Sequence, residues 1–246
     1  MRVLITGAAA GLPQGIALTL ARDGHDVVLT YRPGGTPPNR TLDLVAGAGQ
    51  HASAYGVDFL AEETQIERAL QEAVSTPVQG LVHGVGPMTI RRFARTTLSD
   101  YYEMIDGNLR SAVLAARAVL PAMREGGFGR LIFFALTGSQ SASPVRGLAL
   151  HAAAKAGLVA FARTLAAEEG RLGITVNMIA PGDIREKTLT RKEALQRTAG
   201  NPRGRPGTYE DVADAVRFFL NPEHDFVNGA LLAVHGGLIE PYEKTH

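Results

Sequence analysis

Residues 1–24 read MRVLITGAAAGLPQGIALTLARDG. An apolar run from Arg2 to Thr6 passes into a turn of glycine and alanine, and the turn opens a segment of helical period. Strand, glycine-rich turn and helix in that order make an anion site. The turn glycines admit a close backbone approach, and the free amides at the helix start favour negative charge. Taken alone, the pattern also fits an ordinary strand-to-helix turn. At the head of an alternating chain it predicts a dinucleotide's pyrophosphate against Gly7 and Gly11.

The alternation does continue. Apolar runs at 2–6, 26–31, 52–57, 80–83, 130–136, 174–180 and 231–234 predict strands. Segments at 12–23, 41–49, 61–75, 99–120, 148–170, 187–199 and 209–220 predict helices. Strand followed by helix, repeated, means parallel pairing through right-handed crossovers. Strands without polar alternation are those covered on both faces. The expectation is an α/β fold, a Rossmann-type doubly wound sheet of about seven parallel strands with helices on both faces. RPGGTPPNR, 32–40, is short enough for a loop and not a domain linker, so residues 1–246 read as one domain.

Composition narrows the function. With 246 residues, 45% hydrophobic and a net charge of +1, the chain can bury a large core and carries no strong field for nucleic acid or an anionic membrane. Arg91, Arg92 and Arg95 make only a local cluster. Cysteine is absent, which excludes disulfides, thiolate metal sites and cysteine nucleophiles and fits a reducing compartment. No apolar run reaches the length of a secretory core or a membrane span, so the chain reads as cytoplasmic. Small molecules are the expected partners.

The second strand ends in LTYR, with no acidic residue for a ribose 2'-hydroxyl. Arg32 at that place favours a 2'-phosphate and therefore NADP(H), unless it is simply a solvated loop arginine. Asp58, after the third strand, reads equally as an adenine partner or as the cap of the next helix.

With these parts in order, the whole chain resembles the short-chain dehydrogenase/reductase family and, within it, the 3-oxoacyl-acyl-carrier-protein reductases. The family's TGxxxG turn is Thr6, Gly7 and Gly11, its helix asparagine is Asn108 in DGNLRSAVLAARAVLPAM, and its lysine is Lys155. VNMIAPGDI at 176–184, GRPGTYEDVADAVRFFLNPE and NGALLAVHGG match its closing segments. The resemblance implies NADP(H) held by Gly7, Gly11, Leu12, Arg32 and Asp58 at one end. At the other it implies His83, Gly84, Lys155, Pro181 and Gly182. It also implies a carbonyl or alcohol substrate and a homo-oligomer, dimer or tetramer, built on the helices that carry Asn108 and Lys155.

In that family a tyrosine four residues before the lysine protonates the carbonyl oxygen, a serine bonds that oxygen, and the asparagine holds a water that relays protons to the lysine. Here the tyrosine position is His151, and the related enoyl reductases' position is Leu148. The serine position falls on Gly138 counted back from His151 and on Leu136 counted forward from strand five; Thr137 and Ser139 flank Gly138, with Ser139 the first choice. The third glycine of the turn is Pro13, the family's Asn-Asn-Ala-Gly is His83, Gly84, Val85 and Gly86, and a threonine after Pro181 is replaced by Glu186.

His151 and Lys155 lie one helical turn apart. To act as the acid, His151 must be imidazolium, ordinarily near pKa 6.5, and a neighbouring ammonium lowers that. The expectation is a weak reductase whose rate rises as pH falls toward about 6. The alternatives are a His151 that is only a satisfied helix residue, and a family member that has lost catalysis and serves as a binding, regulatory or assembly subunit. A metal site on His83 and His151 is not expected, since no third ligand has suitable spacing.

Overall fold

A computed structural model describes residues 1–182, 184 and 186–238. Seven strands form one sheet: β1 (Arg2–Thr6), β2 (Asp26–Tyr31), β3 (Ala52–Gly56), β4 (Gly80–His83), β5 (Gly129–Phe134), β6 (Ile174–Pro181) and β7 (Leu231–Val234). Their order is β3-β2-β1-β4-β5-β6-β7, and every pairing is parallel. The order reverses between β1 and β4, which opens a crevice at their carboxyl ends, where such sheets bind ligands. Gly7 leaves β1 there and Gly84 leaves β4.

The sequence shows why both faces are covered. Leu4, Leu81, Leu131 and Met178 pack into one apolar core, while their neighbours Val3, Ile5, Val82, Ile132 and Ile179 pack into the other. The first core is closed by α3 (Glu63–Ala73), α5 (Ser111–Gly126) and α6 (Ala149–Glu169), the second by α1 (Gly11–Arg22) and α8 (Tyr209–Leu220). With one side chain up and the next down, a strand covered on both faces is apolar at successive residues.

Two helices differ from the sequence expectation. The helix expected at 99–120 is divided into α4 (Leu98–Ile105), a π turn (Asp106–Arg110) and α5, and it runs on to Gly126. Periodicity cannot register one widened turn, because the apolar stripe continues through it. The helix expected at 187–199 is only Arg191–Ala194 (α7). Thr190 and Glu193 form a capping box that starts it, but Leu195 is 62% exposed and only Ala194 of its residues is buried, so there is no apolar face to extend. Asp211 anchors this segment from α8: it takes Arg205 and Arg191 and closes the capping box with Thr208.

Candidate active site

The crevice begins at the glycine turn. Gly7 and Gly11 hold φ near +69° and +71°, the left-handed region where a side chain is strained. Below them, Thr41 Oγ1 donates to Ala8 O (2.8 Å) and Gln14 Nε2 donates to Thr41 Oγ1 (2.8 Å), which fixes the shape of the turn. Ala10 offers no side chain to the first-turn amides of α1, so those of Gly11 and Leu12 stay available to an anion. Pro13 sits third in that turn and supplies none.

A cleft of about 140 Å³ adjoins the turn, lined among others by Gly7, Tyr31, Arg32, Asp58, Val85 and Gly107. Arg32 Nε lies 3.5 Å from Asp58 Oδ2, so the two residues expected to meet the cofactor also meet each other. Asp58 does not cap a helix. Its Oδ1 accepts from Leu60 N–H at 3.1 Å, and α3 starts later, after Glu62.

His83 has a different part from the one expected. The ring is 1% exposed. Thr6 Oγ1 lies 2.9 Å from Nδ1, and Ser111 Oγ lies 3.0 Å from Nε2. Ser111 donates its hydrogen to Gly107 O, so its oxygen accepts from Nε2–H, and Thr6 donates to Nδ1. Burial, with a smaller push from Lys155, holds this ring down at about 3, neutral across the physiological range. The side chain is a strut that joins β1, β4 and α5, and it does not reach the crevice.

Two departures from the family pattern prove to be one packing unit. A Cβ on Gly84 would lie 2.4 Å from Pro13 Cγ and 2.7 Å from Thr6 O. The Pro13 ring thus fills the space over a bare Gly84. Gly84→Ala is expected to cost about 1–3 kcal/mol by overpacking, lowering the melting temperature by about 2–4 °C per kcal/mol. Pro13→Gly should return part of that loss, because only the Thr6 carbonyl contact then remains. Thermal unfolding of both single variants and the double variant tests this, and additive losses would refute the coupling.

At the inner end Asn108 stands in the π turn, fully buried. Its Nδ2 donates to Pro87 O and Met104 O, each at 2.9 Å, leaving Oδ1 buried with no partner. Lys155 Nζ donates to Phe134 O at 2.7 Å and has further hydrogens to give. Burial lowers its ammonium to about 8. A Cβ on Gly86 would lie 2.9 Å from Asn108 Oδ1 and 3.2 Å from Lys155 Nζ, so both atoms flank a backbone kept bare. An orphaned acceptor beside an ammonium with spare donors fits a sugar hydroxyl or a water between them.

His151, on α6 with Lys155, is 5% exposed. Its Nδ1 lies 3.1 Å from Pro87 O, which can only accept, so Nδ1 carries the hydrogen and Nε2 presents a lone pair. Burial first, and the Lys155 ammonium second, push the ring down to about 4, against a smaller upward pull from Pro87. The rise in acid form expected near pH 6 therefore does not occur there. Ser139 Oγ donates to Leu136 O at 2.6 Å, so its hydrogen is already engaged. Thr137 has no side-chain hydrogen bond among the described residues and is the better donor of the pair.

Pro181 ends β6, and Gly182 follows it. Gly182 N–H donates to Val234 O at 2.9 Å and its carbonyl accepts from Ile184 N–H at 2.9 Å. It lines a separate cavity of about 520 Å³ between β7 and α8, not the cleft of Arg32. Glu186 pairs with Arg197 at 2.5 Å. Sequence reasoning missed Gln14, Thr41, Ser111 and Pro87. Thr41 had a signal, a hydroxyl on the buried stripe with Val45; Pro87 acts through its carbonyl and had none.

The comparisons agree with this fold. Residues 7–239 match the family model described as enoyl-(acyl carrier protein) reductase. The 3-oxoacyl-[acyl-carrier-protein] reductase MabA of Mycobacterium tuberculosis (strain ATCC 25618 / H37Rv) is 32% identical over 243 residues, covering 96% of this chain and 92% of MabA. A solved Bacillus thuringiensis structure superposes with TM-score 0.88 at 29% identity, over 98% of this chain and 99% of that one. The actinorhodin polyketide ketoreductase solved with NADPH gives 0.84 at 30% identity over 97% of each chain. The chain belongs to the short-chain dehydrogenase/reductase family. Within it, the chain is similar to 3-oxoacyl-carrier-protein reductases and ketoreductases.

Proposed function

We propose that this chain is an NADP(H)-dependent oxidoreductase, one dinucleotide-binding domain that interconverts a carbonyl and a secondary alcohol, with a 3-oxoacyl thioester as one candidate substrate. The observation that carries the reading is the pairing of two ends of one crevice. The glycine turn with Arg32 is at one end, and Asn108 Oδ1 and Lys155 flank the bare Gly86 at the other. Arg32 favours a 2'-phosphate and exchanges its contact with Asp58 for it. Lys155 offers its spare hydrogens to ribose hydroxyls, and Asn108 Oδ1 accepts from a hydroxyl or a water beside it. The reduced nicotinamide, when bound, supplies a hydride to the carbonyl carbon. Thr137 is the hydroxyl available to steady the carbonyl oxygen.

His151 limits the reaction. As the neutral ring it accepts a hydrogen bond at Nε2, which suits the hydroxyl of an alcohol. As an acid with a pKa of about 4 it is protonated in about one molecule in a thousand at pH 7. Reduction is therefore slow at neutral pH, and the alkoxide takes its proton from water. This same feature favours a second reading, a subunit that binds the nucleotide and assembles with copies of itself without fast turnover. Leu98, Tyr101 and Tyr102 on α4 are 74%, 43% and 58% exposed and suit a dimer or tetramer contact. A cytoplasmic location belongs to the same proposal; no helix among the described residues is long and apolar enough to cross a membrane.

Fluorescence titration with NADPH and NADH, followed by cofactor consumption on 3-oxoacyl thioesters and simple ketones, tests the reading. NADPH is expected to bind more tightly than NADH, with slow turnover. No binding at millimolar NADPH would sink the oxidoreductase proposal; binding without turnover on any substrate would select the second reading.

A further inference from the structure

Lys187 was not among the residues singled out in the sequence, and its place in the fold gives it a use. A Cβ on Gly11 would lie 3.9 Å from Lys187 Cγ, so the aliphatic stem of this lysine passes beside the glycine turn. The residue is exposed, and its ammonium is three bonds beyond that Cγ, within a side chain's reach of the first turn of α1. That turn has a defined shortage. Ala10 gives it no side-chain cap, Gly11 and Leu12 keep their amides, and Pro13 has none to give. The acidic neighbour that would oppose an anion, Glu186, is matched by Arg197 at 2.5 Å.

We propose that Lys187 is the cation that faces the cofactor's pyrophosphate and takes over the role of the amide lost at Pro13. The proposal rests on the dinucleotide reading given above. A charge-assisted contact to a phosphate oxygen is about twice as strong as the neutral amide bond it replaces and does not need a fixed backbone direction. The turn can therefore keep the proline that packs on Gly84 and still hold a doubly charged group.

Fluorescence titration of NADPH, with adenosine 2'-monophosphate as competitor, tests the assignment on the intact chain. Adenosine 2'-monophosphate keeps the adenine and the 2'-phosphate but has no pyrophosphate. Lys187→Ala is expected to weaken NADPH about tenfold, Lys187→Arg to leave it within about threefold, and both to leave adenosine 2'-monophosphate unchanged. Arg32→Ala should weaken both ligands. In a Pro13→Ala background, which restores one amide, the loss from Lys187→Ala should shrink. An NADPH affinity unmoved by Lys187→Ala, or an equal loss for both ligands, overturns the proposal while the cofactor reading stands. If the unsubstituted chain binds neither ligand, the cofactor reading falls and this one with it.

Discussion

His151→Tyr is expected to speed NADPH-dependent ketone reduction at pH 7 at least about 100-fold, the lower end of what a positioned acid contributes. The hydride leaves an alkoxide that needs a proton, and His151 has one at Nε2 in only about 0.1% of molecules at that pH. Its other hydrogen is engaged by Pro87 O. A phenol is protonated throughout this range, and the Lys155 ammonium that disfavours imidazolium favours phenolate, so it eases release of the proton. His151→Phe is expected to leave the reduction rate unchanged, because it removes an acid that is hardly ever charged. Steady-state rates of the three proteins decide the matter. A tyrosine variant no faster than the phenylalanine variant would mean that the proton is not what limits turnover.

Acid lability is the second large effect. His83 and His151 are both buried and both titrate far below the unfolded value of 6.5, at about 3 and about 4. In each case the unfolded chain binds the proton first. The stabilisation is therefore complete above pH 6.5 and is lost as pH falls toward the folded values. At pH 5 each ring is 1.5 units below its unfolded pKa, and two rings at about 1.4 kcal/mol per unit remove about 4 kcal/mol. Lys155, lowered from 10.5 to about 8, acts at the other end of the scale: its contribution grows as pH rises between those values. Urea unfolding at pH 7, 6 and 5 should show a steep loss, and His151→Phe should remove about half the slope. A midpoint independent of pH, or a His151→Phe curve with the original slope, contradicts the assignment of these protons.

These two residues also show where sequence reasoning ends. His151 was recognisable as the occupant of the tyrosine position, and the sign of its interaction with Lys155 followed from helical spacing. What lowered its pKa most was burial, and what fixed its tautomer was Pro87 O, a backbone atom 64 residues away that also receives Asn108. His83 looked like a cofactor contact because it follows β4, but Thr6 and Ser111 enclose it from two other elements. Pro13 and Gly84 each read as a separate departure from the family pattern. In the folded chain their contact makes them a single adaptation.

The sequence by itself determined the architecture, because period, burial on both strand faces and turn chemistry are local properties that repeat along the chain. It supplied the glycine turn and Arg32 through their type and place, and Asn108 and Lys155 through the family resemblance. Only the tertiary structure decided protonation, hydrogen direction and steric fit. It showed that His151 carries its hydrogen toward Pro87, that Asn108 Oδ1 is left open beside Lys155, and that Lys187 lies beside Gly11. The reason is that charge state and hydrogen-bond direction are set by burial and by backbone atoms brought in from distant segments. Neither leaves a mark on the local pattern of side chains.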